Sequence, residues 1–181
     1  MAATASAAFG MPALGALFFG AGVLSWLALE SVILQRAAHE PELDKALRPL
    51  QGIQVAPAAV GGLSYLALTE GPPDLVAHML LGYALYQALL AVRLLPWTTQ
   101  IGLTPGYWAF SFGVMAMATM SLRMWARAPQ EPLWQILAPL LFVVANVTLL
   151  ALLTTTVVLM RQGRLLPIPG STGTEQLVGS R

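Results

Sequence analysis

Pro132–Met160 reads PLWQILAPLLFVVANVTLLALLTTTVVLM and contains no Asp, Glu, Lys or Arg. At a rise of 1.5 Å per residue, about 20 residues cross the roughly 30 Å hydrocarbon core of a bilayer. Four more stretches are equally free of charge: Met1–Leu29, Pro49–Thr69, Leu75–Val92 and Leu94–Leu122. Their apolar runs are continuous rather than alternating, so they read as helices and not as barrel strands. The expectation is an all-α polytopic membrane protein with five transmembrane helices, at about Leu14–Leu34, Leu50–Thr69, Leu75–Val92, Pro105–Met124 and Leu133–Met160. Residues 1–160 form the transmembrane domain, and 161–181, rich in Gly, Ser, Thr and Pro, read as a disordered cytoplasmic tail.

Composition agrees. The chain is 57% hydrophobic and only 9% charged, against about a quarter charged for a soluble domain, and its mean hydropathy is +0.71. A net charge of +1 without a basic patch argues against nucleic acid as a partner. There is no cysteine, and two histidines give little support for a metal site. No nucleophile–base pair or phosphate loop is legible. The expectation is no enzyme activity, no catalytic residue, no metal and no cofactor.

Loop charges set orientation. Grouping alternate helix ends places Arg36, Lys45, Arg48, Arg93, Arg161, Arg164 and Arg181 on one side and Arg123 and Arg127 on the other. Basic loops stay cytoplasmic, so the C-terminus is expected inside and the N-terminus outside. MAATASAAFGMP lacks the basic n-region of a signal peptide. An uncharged, translocated N-terminus and an odd number of spans suggest that helices upstream are missing.

Two helical faces stand out. Gln54, Ala58, Gly61 and Tyr65 recur at helical spacing in the second span, with Pro57 expected to kink it and free a carbonyl. In the fourth, Ala109, Phe112, Ala116, Thr119 and Arg123 share a face that is small and mildly polar except for Phe112, and Gly113 favours local distortion. Both faces suit either close helix packing or a pore wall. Glu30, the one acid within a span, is expected to snorkel or pair near Arg36. Trp26, Trp97, Trp108 and Trp134 suit an interfacial belt, and Asn146, Thr148 and Thr154–Thr156 suit interhelical hydrogen bonds.

Four segments carry a family resemblance in order: LFFGAGVLSWLALESVILQR, LQGIQVAPAAVGGLSYL, GYALYQALLAVRLLPW and PGYWAFSFGVMAMAT. Together they resemble the C-terminal half of the tellurite-resistance/dicarboxylate transporter family, whose bacterial members include TehA and whose plant relatives are slow-type anion channels. The resemblance implies ten helices in five tandem hairpins around a pseudo-fivefold axis, with the odd-numbered helices lining a pore, assembled as trimers. The five spans would be helices six to ten, so three pore-lining helices would have to come from elsewhere. It implies Phe112 as the pore gate, in the context WAFSFG. Gln54, Pro57, Ala58, Gly61, Tyr65, Ala109, Gly113, Ala116 and Thr119 would line the pore. The implied activity is transport of anions such as C4-dicarboxylates, tellurite or small inorganic anions across a bacterial inner membrane. The chain's partners would be the anionic substrate, membrane lipid, and either further copies in a homotrimer or a separate N-terminal half. The rival reading is a non-transporting membrane subunit.

Overall fold

The computed structural model describes residues 1–163. Six α-helices follow one another: α1 (Ala2–Ala8), α2 (Pro12–His39), α3 (Ala56–Leu68), α4 (Leu75–Thr98), α5 (Ala109–Arg127) and α6 (Pro132–Arg161). The chain is all-α, and α2, α6, and α4 extended to Ile101 are long and apolar enough to cross a membrane. Residues 164–181, most of the expected tail, lie outside the described part.

The second and fourth expected spans are not uniform α-helices. Arg48–Val55 winds as a 3₁₀ helix before α3, and Pro105–Trp108 does so before α5. Proline placement explains both. Pro49 and Pro105 start their 3₁₀ turns, and Pro57 occupies the first turn of α3, where no backbone N–H is needed. Pro57 therefore starts a helix rather than kinking one. The Ile53 carbonyl that it was expected to free accepts the Ala56 N–H.

Helix α3 is the hub and packs on α1, α2, α4 and α5, while α6 leans on α5. Its small residues permit that crowding: Ala58 and Ala59 are fully buried, and Gly62 lies against the Met120 side chain. The core adds Leu66, Leu81, Met120 and Met124.

Charged residues close the helix ends. Arg127, expected as a basic residue at the outer side, donates to the carbonyls of Leu66 and Thr69, the latter at 2.7 Å, and so satisfies the end of α3. Asp74 caps α4 by accepting from Ala77 N at 3.1 Å. The Tyr65 hydroxyl and that N–H hold the Asp74 carboxyl below the usual carboxylate range.

Arg48 is buried at the opening of the 3₁₀ segment. Its guanidinium donates to Leu43 O at 3.0 Å, Gln100 Oε1 at 2.6 Å and Glu42 Oε2 at 2.9 Å. It lies 4.6 Å from the centre of the Trp97 ring. Glu42 is largely exposed, so the pair itself contributes little. The hydrogen bonds and the indole face are what make burial of the charge tolerable.

Trp134 and three polar residues of α6 depart from expectation. Trp134 is buried against His78, with ring centroids 5.3 Å apart. Asn146, Thr148 and Thr154 return their hydrogen bonds to carbonyls four residues back in α6, which satisfies them locally. Thr156 does the same but also accepts from Trp108 Nε1 at 2.9 Å, joining α6 to the Pro105–Trp108 turn.

Candidate functional site

A cavity of about 490 Å³ opens between α1, α2, α3 and the start of α5. This volume lies within the range of small-molecule sites, roughly 300–1,000 Å³. Pro57 and Gly61 of α3 form one wall, and Phe112 of α5 borders it. On the α2 side stand Phe18, Gly22 and Trp26. Among the described residues no acidic side chain lines it.

The local sequence explains the space. A Cβ added to Gly22 would meet nothing within 4 Å, so that glycine leaves room beside Phe18. A Cβ on Gly61 would come only as near as 3.9 Å to Leu80 and 4.0 Å to Val23, which is ordinary contact. The Phe112 ring is not packed away: 51% of the residue is exposed.

The expected pore residues thus divide. Pro57, Gly61 and Phe112 share the cavity. Ala58 and Ala116 are buried in the helix core instead. Gly113 lies where α5 crosses the chain at Val55 and Ala56: an added Cβ would stand 2.8 Å from Ala56 N. It serves close packing between backbones. Tyr65 bonds Asp74 and tilts against Phe19, with centroids 5.6 Å apart. Gln54 and Ala109 are half-buried, and neither borders the cavity. Thr119 is exposed, with its hydroxyl bonded to Met115 O at 2.8 Å.

The α2 wall was not expected as part of a site. The small residues of GALFFGAG were the available signal, but an apolar span offers no polar stripe to tell a wall from a lipid face.

Beside this wall lies a polar cluster that corrects the expectation for Glu30. The residue is 6% exposed, and among the described residues the one ion pair is Arg48–Glu42. Glu30 does not snorkel towards Arg36. Its Oε1 accepts from Tyr83 OH and from Gln87 Nε2, both at 2.7 Å. Its Oε2 accepts from Trp26 Nε1 at 3.1 Å. Tyr83 also lies edge-on to Trp26, with centroids 5.4 Å apart. Trp26 is therefore a hydrogen-bond donor inside the bundle, not a belt residue.

Comparison with known proteins bears on what the cavity is for. The family model described as voltage-dependent anion channel matches residues 1–157. A tellurite resistance protein TehA homolog from Haemophilus influenzae is 41% identical over 116 residues, which is 64% of this chain and 35% of that protein. The chain thus aligns with about a third of the length of that curated relative.

Proposed function

The chain belongs to the voltage-dependent anion channel family, and we propose that it carries anions across a membrane along the α3–α5 wall, with Phe112 as the gate. One observation supports this reading above the rest. Pro57 and Gly61 from one helix and Phe112 from another border the same cavity. A half-exposed aromatic ring beside small residues can close a narrow path by excluding water and can swing aside. Among the described residues the lining carries no carboxylate, which suits anions better than cations.

On this reading the five hydrophobic segments are helices six to ten of the ten-helix, pseudo-fivefold plan. The 3₁₀–α3 and 3₁₀–α5 units are then two of its pore-lining helices. The other walls come from helices beyond these five, and the assembly is a trimer. C4-dicarboxylates, tellurite and small inorganic anions are the substrate class, the tellurite suggested by the name of the Haemophilus relative. The chain is a transporter or channel rather than an enzyme.

Gly61→Phe tests the path. The added ring enters the cavity, so the variant should fold and lose most anion flux in proteoliposomes. The chain would be reconstituted alone and with the N-terminal five-helix half of a relative. Undiminished flux would remove this groove from the path. Flux in neither preparation would leave the non-transporting subunit as the better reading.

The setting is a bacterial inner membrane with the C-terminus in the cytoplasm, supported by the seven basic residues on that side. A reporter that is active only in the cytoplasm, fused after Arg181, should be active. Activity of a periplasmic reporter at the same site would reverse the orientation.

A further inference from the structure

We propose that Glu30 is a proton-binding site whose charge is coupled to an anion in the neighbouring cavity; this rests on the transport reading above. Trp26 serves both features. Its side chain lines the cavity, and its Nε1–H donates to Glu30 Oε2 at 3.1 Å. The carboxylate therefore stands one indole away from the space an anion would occupy.

Among the described residues, Glu30 is surrounded by hydrogen-bond donors and has no ion-pair partner. On its own helix, Trp26 donates. From α4, Tyr83 OH and Gln87 Nε2 each donate at 2.7 Å, and the Tyr86 ring lies behind Tyr83 at 5.8 Å. From α3, the titratable Tyr65 turns to Asp74 instead. Arg36 on α2 and Arg93 on α4 are both exposed and make no ion pair with it. These three bonds hold the carboxyl group in place, and no ion-pair partner stands beside it among the described residues.

Protonation breaks no covalent bond within the protein. A proton delivered by hydronium, which leaves as water, joins one carboxyl oxygen, the group becomes neutral, and the new O–H needs an acceptor. The Tyr83 oxygen, which already accepts from Gln87 Nε2 at 3.0 Å, can accept this hydrogen as well by turning its own away, because a phenol both donates and accepts. The ionised carboxylate repels an anion in the cavity, and the protonated one does not. At a separation of about 12 Å and an effective dielectric constant of about 20, this difference is about tenfold in anion affinity. Coupling is reciprocal, so an anion should strengthen proton binding by the same factor, about one pH unit.

The full chain in lipid nanodiscs can be titrated by infrared difference spectroscopy. Acidification should produce a protonated-carboxyl band that Glu30→Gln lacks. Tyr83→Phe keeps the carboxyl but removes a donor to its ionised form, so the midpoint should rise. Should Glu30→Gln fail to fold, the Tyr83→Phe shift identifies the band. Chloride and succinate, tested separately, should raise the wild-type midpoint by about one unit, whereas uncharged sucrose should not. Anion flux should increase on acidification in wild type and be flat with pH in Glu30→Gln. A structural tie between α2 and α4 would show none of these shifts. The absence of a titrating Glu30 band, or a midpoint indifferent to Tyr83→Phe, overturns the site. Flux with a midpoint unmoved by anions overturns the coupling and leaves transport standing. An anion-shifted midpoint without flux upholds the coupled site and overturns transport.

Discussion

Gly113→Ala should lower the thermal stability of the detergent-solubilised protein by roughly 10 °C, corresponding to about 3 kcal/mol. One methyl group produces this because the obstacles are backbone rather than flexible side chains. The new Cβ would lie 2.8 Å from Ala56 N, 2.8 Å from Val55 Cβ and 3.0 Å from Val55 C. Those atoms join the 3₁₀ segment to α3, the helix on which α1, α2, α4 and α5 converge. Moving them away from α5 would separate Ala56, Ala59 and Ala116 from a tightly packed core. Gly61→Ala is the control on the same hub: its nearest contact is 3.9 Å, and its melting temperature should stay near that of the wild type. Thermal melts of the three proteins followed by tryptophan fluorescence would decide this. An unshifted Gly113→Ala melt would show that α3 and α5 are not in close contact there.

Phe112→Ala, one residue away, should do the opposite. Truncating a fully buried phenylalanine costs about 3–5 kcal/mol. Phe112 is 51% exposed, so most of that loss does not arise and the melt should change little. The ring borders the cavity, and removing it widens the space between α5 and the Pro57–Gly61 wall. Anion conductance in planar bilayers should rise about tenfold or more once the apolar constriction is gone. Phe112→Leu, which keeps an apolar side chain of intermediate size, should fall between. Impaired folding with unchanged conductance would make Phe112 a packing residue and end its role as a gate.

Neighbouring residues with opposite expected effects show where sequence reasoning stopped. Spacing placed Phe112 and Ala116 on one helical face, but one borders the cavity and the other is buried in the core. In a membrane helix, lipid, a partner helix and a pore wall all accept Ala, Gly and Phe, so residue type does not separate the three surfaces. Glu30 shows the same limit. The sequence identified a carboxylate inside a span, and the nearest base along the chain was the natural partner to expect. Two of its three partners, Tyr83 and Gln87, are more than 50 positions away.

The sequence by itself determined the class of this protein: helical, apolar in long uncharged stretches, and related to anion channels through ordered motifs. The helical, apolar part follows because the hydrophobic effect and the need to pair every backbone polar group in lipid act on local composition and length. The tertiary structure alone decided that Arg48–Val55 is a 3₁₀ segment, that Pro57 begins a helix, and that Arg127 closes one. It alone decided which glycines permit backbone contact and which leave open space. Those outcomes depend on which segment lies across from which, and the order of residues along one helix does not carry that information.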